Sequence, residues 1–263
     1  MGKNADSSDK QSAFSDINHF STISDLDLSD HTANSLHRLA NTFFSMAVKE
    51  YSRHGDWGDI TEFLRRCGQT YLDFYRCEEL PEQRDILDVY YRALPCIVCF
   101  GEESELTRFT ELEEWRYCWP PLDSNPVEWN IVNELNVQSN VRRYLRETLK
   151  FLASGKLDEA ACSELNSSLQ SSQGVDKKTI AKELCLGLLS LQAIQNQQCD
   201  ELRHHLLNLI KSHQQRASRG RLRGDENGVL AMQALMLAFI AQQRGLELDL
   251  SAEYAPMQLL GRQ

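Results

Sequence analysis

The stretch Val229-Leu230-Ala231-Met232-Gln233-Ala234-Leu235-Met236-Leu237-Ala238-Phe239-Ile240-Ala241 decides the fold. With Gln233 as its one polar side chain, it is apolar on nearly every face of a helix. Such a helix is stable only where other helices cover it on most sides. It therefore predicts the centre of an all-α domain. Arg244-Gly245 stops it, and the tail Leu246-Glu247-Leu248-Asp249-Leu250 alternates apolar and acidic residues over a run too short to define a sheet.

Outward from this helix, the rest of the chain repeats one theme. Leu36, Leu39, Phe43, Met46 and Ala47 fall on one face of a helix from His31 to about Arg53, and His54-Gly55-Asp56 makes a turn. Ile60, Phe63, Leu64, Cys67, Tyr71 and Phe74 predict a second helix ending near Arg76. Leu80-Pro81-Glu82 punctuates the chain, and Ile86 to Leu94 keeps helical spacing until Pro95 and Gly101 kink or close it. A short acidic helix within Glu102 to Glu114, with Leu106, Phe109 and Leu112 inward, precedes Trp119-Pro120-Pro121, the strongest breaker in the chain. A sub-domain break near 119–127 is one reading of it; a packed loop is the other. A long helix from about Glu128 to Ala153 stops at Gly155. At Ser52 to Asp59, Ser154 to Glu159 and Gln195 to Glu201, a helix end, a polar turn and an acidic first turn follow one another, which suits the helix dipole. The fold expected is all-α: stacked antiparallel helical hairpins in an irregular bundle or solenoid-like array over residues 31–263. Residues 1–30, rich in Ser, Asp and Asn with no sustained register, read as a polar, loosely docked N-terminal arm.

At 263 residues the chain is long enough to bury a self-sufficient core. Its formal net charge of −10 repels nucleic acid and favours a basic partner. The polar start, Met1 to Ser15, lacks the pattern of a secretory signal, and the longest apolar run is shorter than a membrane span. A cytoplasmic protein without membrane or direct nucleic-acid contact is expected. The eight cysteines sit mostly in apolar, helical surroundings, which suits reduced thiols.

No catalytic constellation stands out. Cys96 and Cys99 have CxxC spacing, read as core packing over a redox pair or half a zinc site, since a second pair is missing. His204, His205 and His213 share a helix at spacings that do not gather one ion, and a surface location is expected for them. The basic run Arg216, Arg219, Arg221, Arg223 reads as a solvated loop ahead of a protein or nucleic-acid contact. The carboxylates Glu102, Glu103, Glu105, Glu111, Glu113 and Glu114 read as a charged helix face, with a docking surface for a basic protein as the second reading. Trp115, Tyr117 and Trp119 are either core rings or binding hot spots. Neither an enzyme, a cofactor nor a metal is expected.

The C-terminal third, Leu202 to Leu260, carries a helix to His213, then Gly228-Val229-Leu230-Ala231-Met232-Gln233-Ala234-Leu235, then Arg244-Gly245, then Glu253-Tyr254-x-Pro256-x-x-Leu259-Leu260. In that order of features, and in the turn Gly155 to Asp158, the chain resembles the Immunity protein 49 family of bacterial polymorphic toxin systems. The N-terminal half matches only as helical hairpins. The resemblance implies an all-helical cytoplasmic protein that binds a cognate toxin effector domain and blocks it, protecting the producing cell and its kin, as in interbacterial competition by type VI secretion. An acidic, motif-free protein is suited to cover a basic cleft. The docking patch expected for this toxin binding is Glu111, Glu113, Glu114, Trp115 and Tyr117. The alternative is a helical-repeat adaptor that binds a cellular protein or peptide in a groove between hairpins, which a concave groove lined by Asn or Arg would favour.

Overall fold

The computed structural model describes residues 32–77, 86–112, 129–170, 175–220, 222–250 and 252–260. The helices are α1 (Ala33–Ser52), α2 (Trp57–Arg76), α3 (86–100, built from Ile86–Asp88, a π turn Val89–Ala93 and Leu94–Phe100), α4 (Glu103–Thr110), α5 (Trp129–Ser154), α6 (Glu159–Gln170), α7 (Val175–Gln195), α8 (Cys199–Arg219) and α9 (Met232–Gln243). The fold is an all-α bundle with no strand among the described residues. Ala33–Gln263 forms one unit and Met1–Thr32 another. The expected arm, 1–30, and the expected break, 119–127, lie outside the described residues.

Two antiparallel hairpins, α1 with α2 and α7 with α8, are the most extensive pairings, and α9 packs against α3, α7 and α8. Met232, Leu235, Met236, Leu237 and Ile240 are all at most 3% exposed. At about 1.5–3 kcal/mol per buried side chain, these five contribute on the order of 10 kcal/mol as an upper bound. The apolar helix is thus central, as its sequence requires. It begins three residues later than expected: Asp225 caps a 3-10 turn, Glu226–Gly228, and the Ala231 N–H is held by the Tyr254 carbonyl at 2.6 Å. The first helical residue is Met232.

Three of the polar turns are built the same way. After α1, α7 and α9, one residue takes a left-handed conformation (His54, φ 55°; Gln197, φ 57°; Gly245, φ 78°). The N–H groups of that residue and the next then return to the last turn: His54 to Tyr51 and Gly55 to Glu50, Gln197 to Ile194 and Gln198 to Ala193, Gly245 to Gln242 and Leu246 to Ala241. These are Schellman closures, which satisfy orphan carbonyls and reverse the chain sharply. Asp56 then caps α2, accepting from the Gly58 N–H at 2.6 Å, and Asp158 caps α6.

Pro95 does not break its helix. The Leu94 N–H reaches back to the Val89 carbonyl, widening the coil into a π turn, and Pro95 follows at the start of the next α segment. In that register the Tyr90 carbonyl faces a proline nitrogen with no hydrogen to donate. The side-chain amide of Gln233, the polar residue of α9, donates to it instead. Gly101 ends the helix in extended conformation. Cys96 and Cys99 are fully buried, with burial raising both thiols well above the ordinary value, and pack in the core as expected. α2 approaches closely at Gly68, where a Cβ would lie 3.0 Å from the Ile97 nitrogen.

Two expectations are overturned inside α8. His213 is buried at 5% exposure, where a surface site was expected, and Arg216 is buried at 6%, where a solvated loop was expected. Both continue the stripe Leu202, Leu206, Leu209, Ile210 along the inward face. The Arg216 guanidinium ion-pairs with Glu183 of α7 at 2.7 Å, donates to the Tyr91 hydroxyl and lies over the Tyr91 ring. Ser212 donates to the other Glu183 oxygen at 3.3 Å. Burial raises the Glu183 carboxyl against the pull of Arg216.

Candidate functional site

The groove with the most distinctive chemistry lies between the end of α1 and the C-terminal segment. It encloses about 590 Å³, and its charged lining residues besides His54 are all acidic: Asp225, Glu226 and Glu253. Two rings, Tyr51 and Tyr254, share the wall, and both are half-buried.

Each wall is fixed by local structure. Tyr51 sits in the last turn of α1, its ring 6.0 Å from that of Trp57 across the first Schellman turn. Its hydroxyl donates to the Glu253 carbonyl oxygen, which ties the C-terminal segment to α1. Burial, and next the Glu253 carboxylate, raise the Tyr51 phenol above its ordinary value, so it stays a neutral donor. Asp225 is held by accepting from the Asn227 N–H at 2.8 Å. Glu226 accepts from Ser45 and lies 4.0 Å from Arg92, which also donates to Asn227 at 2.8 Å. Asp225 and Glu253 have no ion-pair partner among the described residues and point their charge at solvent.

Behind the groove stands His213. Its ring Nε2–H donates to the Gly228 carbonyl at 3.2 Å, and its ring meets Tyr254 edge-on at 5.8 Å. Burial pushes its pKa down to about 4, so the imidazole is neutral at pH 7 and serves as a prop beneath the wall. Gly228 admits no side chain, since a Cβ would lie 2.5 Å from the Leu222 carbonyl oxygen. The end of the helix at His213, Gly228 and Glu253-Tyr254 therefore converge here. Sequence reading missed the groove because its walls come from residues 48–54, 222–229 and 253–254, which no local pattern connects.

Of the docking patch expected from sequence, only Glu111 falls among the described residues, and it does not line this groove. Glu111 is exposed at the end of α4, where its N–H closes the last turn on Thr107; Glu113, Glu114, Trp115 and Tyr117 lie outside the described residues. Of the other acidic residues of that run, Glu105 is buried and accepts from the Glu102 N–H at 2.8 Å in a capping box. In the basic run, Arg219 and Arg223 are exposed. Among the described residues, no group of three or more His, Cys, Asp or Glu side chains is placed to hold a metal ion, and no helix is long and apolar enough to cross a membrane.

What the groove can do is bind. It offers three carboxylates and half-buried ring faces, a combination suited to Lys and Arg side chains through ion pairs and cation–π contact. Comparison with protein-family models, curated proteins and solved structures gives no match for this chain.

Proposed function

We propose that this chain is an immunity protein that binds a cognate bacterial toxin domain and occludes its active site, with the acidic and aromatic groove at Tyr51, Asp225, Glu226, Glu253 and Tyr254 as the docking face. The observation that carries the reading is that this groove is lined by carboxylates and tyrosines, and that Gly228, Val229, Glu253 and Tyr254 of its lining fall within the segments quoted for the resemblance to the Immunity protein 49 family. The toxin cleft it fits is basic, as in enzymes that act on nucleic acids or nucleotides. Complementary charge accelerates association, and the half-buried rings supply the anchors that hold a complex once formed. Inhibition is by steric and electrostatic cover and requires no catalytic group on this chain. The cell protected is the producer and its kin, in competition between bacteria, and the site of action is the cytoplasm.

The test is co-expression with the C-terminal domain of a toxin encoded beside this gene. Rescue of growth together with a stable complex supports occlusion; rescue without a complex points to reversal of the damage, and no rescue removes the reading. Asp225→Lys with Glu253→Lys lowers the association rate at least tenfold at low salt if the groove docks the toxin. The same reversal at Glu111, Glu113 and Glu114 does so if the patch expected from sequence docks it.

A further inference from the structure

A second trough, sharing no residue with the first, runs between α6, α7 and α8 and encloses about 650 Å³. Its lining is of another kind. Asn166 and Gln170 on α6, Gln192 on α7 and Asn196 just past its end line it, and none of these four amides makes a side-chain hydrogen bond among the described residues. Leu189, one of two large exposed apolar side chains in the described chain at 37% exposure, lines the same trough. Glu159 and Glu201, each in the first turn of its helix, also line it. The Leu157 N–H donates to the Gln195 side chain at 2.7 Å, which places the start of α6 beside the end of α7 and the start of α8. Both carboxylates therefore gather at one end.

The shape is that of a strip. From Glu159 to Gln170 the α6 wall runs about 16 Å at 1.5 Å per residue. An extended chain rising about 3.3 Å per residue covers that length with about five residues. A carboxamide presents two donors and an acceptor, the complement of a peptide unit's carbonyl and N–H. Amides spread along both walls thus match a main chain whatever its side chains, and Leu189 receives an apolar one. Other ligand classes fit poorly: no Lys or Arg lines the trough to meet phosphates, and no Trp, Tyr or Phe lines it to stack on bases or sugars.

We infer that this trough binds the main chain of an extended peptide segment of a partner protein, about five residues long, with a basic side chain at the end where Glu159 and Glu201 lie. The inference does not depend on the toxin reading.

The experiment uses the full chain as bait for a displayed library of random heptapeptides, followed by affinity measurement on the enriched peptides. The expected result is enrichment of sequences with Lys or Arg toward one end. Methylation of the central main-chain nitrogens and the double substitution Asn166→Ala/Gln192→Ala each weaken binding at least tenfold, and Glu201→Lys removes the preference for a basic end. Circular dichroism of each variant checks the fold, and Glu201→Lys, an exposed change, keeps the test open if the double variant unfolds. Absence of enrichment, or peptides that bind Asn166→Ala/Gln192→Ala within twofold of the parent, overturns the inference. Binding insensitive to main-chain methylation overturns it as well.

Discussion

The side-chain amide of Gln233 donates to the main-chain carbonyl of Tyr90, filling the place of the N–H that Pro95 lacks. The other end of the same amide accepts from the Tyr144 hydroxyl at 3.2 Å, deep in the bundle. A proline in one helix and a lone polar residue in the most apolar helix are two halves of one arrangement. Replacing Gln233 with Leu leaves a buried carbonyl and a buried hydroxyl unpaired, at about 1–3 kcal/mol for each. In a Pro95→Ala background residue 95 regains its N–H, and the cost of Gln233→Leu falls. A double-mutant cycle by urea unfolding reads the coupling; additive losses within about 0.5 kcal/mol contradict the pairing.

Arg216 and Glu183 form a buried pair whose worth lies in mutual compensation. Arg216→Met alone leaves a carboxylate in the core and costs about 3–5 kcal/mol at neutral pH, while Arg216→Met with Glu183→Leu costs less than either single change. The single-variant deficit shrinks as pH falls from the raised folded value of Glu183 toward the ordinary Glu value of 4.5, below which both folded and unfolded states carry the proton and no carboxylate charge is buried. Urea unfolding at pH 7 and pH 4 checks both statements.

His213 makes stability depend on pH with a defined sign. Its folded pKa of about 4 lies below the ordinary 6.5, so between these values the unfolded state binds the extra proton and stability is lost as pH falls. The full effect is about 3 kcal/mol at about 1.4 kcal/mol per unit. His213→Gln, which retains a donor for the Gly228 carbonyl, flattens the stability profile between pH 6.5 and 4 relative to the parent. Parallel profiles contradict the assignment.

Gln197 closes α7 in a left-handed conformation that glycine adopts without strain. Gln197→Gly raises stability by about 0.5–1 kcal/mol, and Gln197→Ala gives no such gain. Thermal unfolding checks this as a rise of about 1–4 °C for a domain of this size.

The helices were legible wherever apolar residues kept a 3.6-residue period, and the turns wherever polar residues met a Gly or an acidic first turn. α1 and α2 follow the expected spans closely. Residues at the helix-to-helix seams were harder. Leu39 and Met46, expected inward, are half-buried because the buried face of α1 rotates toward Ala40, Phe44 and Val48 against α2, and Phe63 on α2, also expected inward, is half-buried as well. His213 and Arg216 continue an apolar stripe that was readable, yet a charged residue on such a stripe is credible only with a partner, and Glu183 sits 33 positions away on another helix. Gln233 was visible as the one polar residue of its helix, but its partner is a carbonyl, which no side-chain pattern announces. Both grooves are products of packing, and only the acidic character of one was foreshadowed, by the net charge.

We propose that a toxin domain docks on the groove at Tyr51, Asp225, Glu226, Glu253 and Tyr254. Hydrogen exchange on the purified complex with the neighbouring toxin's C-terminal domain tests it most directly, read against the free chain. Docking there gives added protection in residues 51–58, 222–230 and 252–257, and none along α6. Protection confined to the end of α4 or to other faces, with these three segments unchanged, would contradict it.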